Sequence, residues 1–171
     1  MTAKSNWIFI GLGANLGNRE AQLAAAREGL SQLPGWQLHA ASSLYETAPW
    51  GLIDQPAFLN QVLAIDAAMS PMEFLHAAQA LEAALGRVRE THWGPRKIDI
   101  DILAWGQQRI QSQRLTIPHP ALADRAFVLV PWAEIAPDFH PPGHPATIAE
   151  LLAALPESET HSVQKTAHKH P

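Results

Sequence analysis

The chain has 171 residues, a formal net charge of -4 and no cysteine, a length that suits one domain whose core needs neither disulfides nor a structural metal. The lack of cysteine rules out a disulfide framework and a thiolate site, and the acidic balance argues against a sequence-independent grip on nucleic acid, which needs a broad basic face. No stretch approaches the roughly 18 apolar residues of a membrane span, and the apolar run after the polar opening Met1 to Asn6 is too brief for a secretion signal, so a cytoplasmic protein that engages neither membrane nor nucleic acid is expected.

In chain order, Trp7 to Leu12 is an apolar run ending in glycines and predicts a buried strand. Gly17 to Leu33 sets Leu23, Ala26, Leu30 and Leu33 at helical spacing, closed by Pro34 and Gly35. Trp36 to Tyr45 and Phe58 to Ala67 read as two strands, joined by an irregular loop that holds Pro49, Gly51 and Pro56. Ser70-Pro71 opens a second helix, with proline at its favoured first position, and the helix stops at Gly86. A charged loop follows, and Lys97 to Ala104 then alternates strictly between apolar and other residues. Strand, helix, strand, strand, helix, strand is the order of a split βαβ, ferredoxin-like sandwich, an α+β fold with an antiparallel sheet. Beyond it, Gln108 to Gln111 is expected to extend the sheet, and Ala126 to Ile135 and Thr147 to Leu155 to add C-terminal helices, the first interrupted by Pro131. Residues 1–156 are expected to form a single domain and the polar stretch 157–171, with its scattered histidines, to be a disordered tail.

The sharpest chemical feature is Lys97-Ile98-Asp99-Ile100-Asp101-Ile102-Leu103. A period of two sends the isoleucines to one face of the strand and both aspartates to the other. Neighbouring like charges repel, and a divalent cation offsets that repulsion; hard oxygen ligands suit magnesium held by one or two carboxylates plus substrate phosphates. A solvated polar face would show the same alternation, so the flanking residues decide. Six of the eight arginines (Arg87, Arg89, Arg96, Arg109, Arg114 and Arg125) fall between positions 87 and 125 of an otherwise acidic chain. Guanidinium groups bind phosphate oxygens in planar, bidentate fashion, so arginines beside a metal site point to a nucleoside triphosphate. No glycine-rich phosphate loop ending in Lys-Ser or Lys-Thr is present, which leaves the phosphates to arginine and magnesium.

The run from His92 through Trp93-Gly94-Pro95-Arg96 to Leu103 resembles the signature of the 6-hydroxymethyl-7,8-dihydropterin pyrophosphokinases, and segments 11–17, 43–51, 54–60, 82–89 and 114–127 follow the family's order and spacing. The resemblance implies transfer of the terminal pyrophosphate of ATP to a pterin hydroxymethyl group, with release of AMP, on a ferredoxin-like fold; a monomer is expected. It also implies two magnesium ions held by Asp99 and Asp101, with Arg89 and Arg96 completing the catalytic set. Further nucleotide contacts are implied for Glu82, Arg87, His92, Trp93, Ile102, Arg114, Thr116, His119 and Arg125. The pterin is assigned to Thr47, Pro49, Trp50, Phe58, Asn60, Trp93, Asp99 and Phe127, with Thr47 and Asn60 reading its edge and Phe127 stacking on it. Phenylalanine at 58 stands where tyrosine is common in the family, and histidine at 92 where arginine is.

Gly11-Leu12-Gly13-Ala14-Asn15-Leu16-Gly17 has one residue too many between its second and third glycines for a dinucleotide fingerprint, and is read instead as a tight turn with Asn15 near the floor of the pterin site. Two other functions fit the fold. An RNA-binding sandwich would need exposed aromatics and a basic face where the central strand here offers Asp99 and Asp101. Another magnesium-dependent nucleotide-using transferase or hydrolase would share the same acidic strand.

Overall fold

The structure, a computed structural model, describes residues 6–47, 56–86 and 98–166. Its centre is strand β1 (Ile8–Ala14), paired antiparallel on one side with β4 (Phe58–Asp66) and on the other with β5 (Asp99–Trp105). Strands β2 (Gln37–Ala41) and β3 (Tyr45–Thr47) occupy successive stretches of the far edge of β4, β2 against Leu63 to Asp66 and β3 against Phe58 to Asn60. The order β5, β1, β4, then β2 and β3, with helix α1 (Arg19–Leu30) after β1 and α2 (Pro71–Ala84) after β4, is the split βαβ arrangement that the element order predicts.

Local chemistry explains the boundaries. Asn18 caps α1 through a side-chain oxygen that accepts the Ala21 N–H at 3.0 Å, and Ser70 caps α2 in the same way, with Pro71 in the first turn. Glycine at 17 takes a positive φ of 65° at the turn between β1 and α1. The glycines at 11 and 13 are part of β1 itself, so the tight turn read over this whole segment is confined to its end.

Alternation along the strands builds two cores. Ile8, Ile10 and Leu12 of β1, Leu59, Leu63 and Ile65 of β4 and Ile98, Ile100 and Ile102 pack under α1 and α2 with Leu23, Leu30 and Phe74. On the opposite face Phe9, Val62, Ala64 and Leu103 are covered by α3 (Ala126–Ile135) and α4 (Ile148–Ala153), with ring centroids of Phe9 5.2 Å from Trp132 and 4.6 Å from Phe139. The C-terminal helices therefore close the second face of the sheet. Each fully buried Leu, Ile or Phe contributes about 1.5–3 kcal/mol.

Four expectations are corrected. The strand expected over 36–45 breaks at Ser42, whose hydroxyl accepts the Val62 N–H at 3.0 Å while its carbonyl accepts the Gln61 side-chain amide at 2.8 Å; side chains there replace a regular ladder. The segment 108–111 does not extend the main sheet, because β6 (Ile110–Gln111) pairs with β7 (Thr116–Ile117) in a separate ribbon. Helix α3 runs through Pro131, which is buried within it; the proline forfeits one backbone bond but helps cover the sheet. Within the described residues, 157–166 of the expected disordered tail form regular structure: α5 (Glu157–His161) leads into β8 (Val163–Lys165), which pairs with β3 and buries Val163 against Tyr45 and Ala126.

One carboxylate joins these late elements. Glu134 of α3 accepts hydrogen bonds from the Ser43 N–H at 3.0 Å, the Ser43 hydroxyl at 2.7 Å and the Tyr45 hydroxyl at 2.7 Å, and lies 3.7 Å from the Lys165 ammonium.

Candidate active site

A cleft opens on the α3 side of the sheet where β1 carries glycine. Beside Phe9 the face is filled, but Gly11 and Gly13 present only backbone, and the neighbouring strands supply the functional groups in register. Asp101 pairs with Gly11, Asp99 with Gly13, and Gly13 with Asn60. Thr47 pairs with Phe58 one step further along. The N-terminal end of α3 closes the cleft with Arg125, Phe127 and Val128. The cleft lining mixes apolar and aromatic groups with a few polar side chains, the composition of a small-molecule site.

The floor is bare, and at Gly13 it has no room for a side chain as Asn60 stands. A Cβ at Gly13 would stand 2.9 Å from Asn60 Oδ1, and one at Gly11 3.4 Å from Leu103. Asn60 is 7% exposed and donates from Nδ2 to Thr47 Oγ1 at 2.8 Å, which leaves Oδ1 over Gly13 as an acceptor. Phe127 forms a wall, with the Arg125 guanidinium 5.5 Å from its ring centre. The structure thus brings together Thr47, Phe58, Asn60, Asp99, Asp101, Arg125 and Phe127. Both aspartates are partly exposed on this face, whereas Ile98, Ile100 and Ile102 are buried on the other, as the alternation predicts.

His119 lies within electrostatic reach of Arg125 and Asp99. Burial, helped by the Arg125 charge and opposed by Asp99, brings its imidazole down to about 4. The ring is therefore neutral near pH 7. Its Nδ1 accepts the Ala121 N–H at 3.2 Å, so the proton sits on Nε2, which is left as a donor. The backbone N–H of His119 donates to Leu103 O at 2.9 Å, which fixes this loop on β5.

Other expected nucleotide residues lie outside the cleft. The Glu82 carboxylate, 3% exposed, accepts the Ile100 N–H at 2.8 Å and anchors β5 from the helix side. The Ile102 side chain is in the core beneath α1 and α2. Arg114 reaches α2, with Nη2 3.2 Å from His76 Nε2, and Thr116 belongs to β7. Arg87, Arg89, His92, Trp93, Arg96, Pro49 and Trp50 lie outside the described residues. Sequence reasoning missed the role of Gly11 and Gly13; the available signal was two glycines at alternate positions of a strand, which empties one face while leaving the other apolar.

Comparison with known proteins bears on this cleft. The model of the family described as 7,8-dihydro-6-hydroxymethylpterin-pyrophosphokinase matches residues 9–137. A 2-amino-4-hydroxy-6-hydroxymethyldihydropteridine pyrophosphokinase of Methylorubrum extorquens is 47% identical over 156 residues, 91% of this chain and 98% of the relative. One of Pseudomonas aeruginosa is 44% identical over 149 residues, 87% of this chain and 91% of the relative. A crystal structure of Plasmodium falciparum HPPK-DHPS aligns with a TM-score of 0.70 at 14% identity, covering 94% of this chain and 46% of that one. The likeness to that longer chain is one of fold. An α+β fold with an acid-lined cleft, together with relatives so similar over almost their whole length, makes this chain a diphosphotransferase. It belongs to the 7,8-dihydro-6-hydroxymethylpterin-pyrophosphokinase family.

Proposed function

We propose that the cleft holds 6-hydroxymethyl-7,8-dihydropterin and that the chain transfers the terminal pyrophosphate of ATP to its hydroxymethyl oxygen, a step of folate biosynthesis. The oxygen bonds to the β-phosphorus of ATP, the bond from that phosphorus to the α-phosphate oxygen breaks, AMP leaves, and the hydroxyl proton is released to solvent. The observation that carries this reading is the convergence of Asp99 and Asp101 with Thr47, Asn60 and Phe127 around a floor of bare backbone. Asn60 Oδ1 would accept from the amino edge of the pterin, a reading supported by the commitment of Nδ2 to Thr47. Phe127 and Phe58 flank the ring, and the glycine floor admits a flat ligand.

The aspartates fit a magnesium site: two same-face carboxylates at the cleft, with no cluster of three or more His, Cys, Asp or Glu among the described residues. The remaining coordination positions fall to phosphate and water, the usual preference of magnesium. Asp99 and Asp101 would hold two ions, whose charge neutralises and aligns the phosphates. His119 contributes an uncharged N–H donor beside Arg125, and Arg125 a permanent positive charge. Arg87, Arg89 and Arg96 are assigned to the triphosphate from the motif alone.

AMP release with magnesium and ATP should require the reduced hydroxymethyl pterin and fail with other small hydroxyl acceptors. Asp99→Ala or Asp101→Ala should lower turnover by about a thousandfold or more, since positioning and charge neutralisation supply most of phosphoryl-transfer catalysis. Full activity in either variant overturns the assigned role, and equal AMP release with unrelated acceptors favours a different transferase.

A further inference from the structure

We propose that Arg19 is a positioning residue for the acceptor pocket, holding together the two ends of the β3–β4 connection so that Thr47 stays opposite Phe58. The inference rests on the pterin reading of the cleft. Arg19 is the first residue of α1, and its Nη1 lies 2.6 Å from Glu46 Oε1 and 3.0 Å from the Ala57 carbonyl. Glu46 and Ala57 are the chain neighbours of Thr47 and Phe58, which pair across β3 and β4 and both line the cleft. Asn15, just past the end of β1 and 2% exposed, adds a third point by donating from Nδ2 to the Pro56 carbonyl at 2.9 Å. Three hydrogen bonds thus run from the β1–α1 turn to residues 46, 56 and 57.

Strand β3 is three residues long and Thr47 is its last, paired with Phe58 on one side and Val163 on the other, so the Arg19 contacts reinforce the end of a short ladder. Any displacement of Thr47 would carry the Asn60 amide with it through their 2.8 Å bond. The Arg19 and Glu46 side chains are 31% and 47% exposed, and an ion pair so open to water adds little to global stability. What the contact supplies is placement, and small displacements of binding groups weaken binding far more than they weaken the fold.

The test uses the full chain and measures KM for each substrate, kcat and Tm for Arg19→Ala, Arg19→Lys, Glu46→Ala and, as a control on the pocket itself, Asn60→Ala. Arg19→Ala should raise the pterin KM about three- to tenfold, leave the ATP KM unchanged and shift Tm by less than about 2 °C. Glu46→Ala should raise the pterin KM less, because the Ala57 contact remains, and Arg19→Lys should recover part of the loss. A lowered Tm with an unchanged pterin KM, or an equal rise in both KM values, would make Arg19 merely structural and overturn the proposal. If Asn60→Ala raises the pterin KM and Arg19→Ala does not, the clamp fails and the pocket stands; if Asn60→Ala has no effect, the pocket reading falls and the clamp with it.

Discussion

Burial, with the Arg125 charge nearby, keeps His119 uncharged well below neutral pH, and this has a consequence for stability as well as for the site. An unfolded histidine takes up a proton near its ordinary value of 6.5, whereas folded His119 resists until about 4. Between those limits the unfolded state binds more protons, so stability rises with pH across the window and falls as the solution is acidified through it. Urea unfolding without nucleotide or metal should show the chain less stable at pH 5 than at pH 7, and His119→Asn should flatten that slope. A slope unchanged in the variant would place its origin elsewhere. Motif spacing picks out His119, but a histidine between Pro118 and Pro120 gives no sign in sequence of being neutral, because that depends on burial and on a guanidinium brought close by the fold. Asp99 and Asp101 are the opposite case: alternation alone fixes their shared face.

At the scale of elements, Glu134 shows how the late helices stabilise the early strands. Burial alone would raise its carboxyl, but hydrogen bonds from the Ser43 and Tyr45 hydroxyls and the Ser43 amide, with the Lys165 charge, outweigh burial and hold it below the ordinary value of 4.5. Burial and the neighbouring carboxylate push the Tyr45 hydroxyl the other way, above its usual range. Glu134→Ala should cost about 2 kcal/mol and Glu134→Gln less, because an amide retains one acceptor. A depressed carboxylate stabilises the fold above its unfolded value and loses that contribution as pH falls through the folded one, so the gap between wild type and Glu134→Gln should narrow below pH 4.5. The two long strands, the two capped helices and the alternating strand β5 were legible because each carries its own period or cap. The break at Ser42 was not, since it depends on Gln61 and Val62 of another strand.

For the whole molecule, the least legible region was the end of the chain. Residues 157–166 are polar and their elements are five and three residues long, too short for any period to show. Their order comes from tertiary contact: the β8 ladder on β3, Val163 in a small apolar cluster, and Lys165 near Glu134. Truncation after Pro156 should lower stability by about 2 kcal/mol and Tm by about 6 °C; an unchanged melting curve would show that β8 is dispensable. The pyrophosphokinase motif runs from residue 92 into β5, whereas the floor of the cleft belongs to β1. That surface is peptide backbone at Gly11 and Gly13; a Cβ at Gly11 would only touch Leu103, at 3.4 Å, whereas one at Gly13 would stand 2.9 Å from Asn60 Oδ1 and displace that amide. An inhibitor pressed flat against Gly13 would meet ground that cannot gain a side chain without displacing Asn60, so drug resistance should arise instead through changes at the rim.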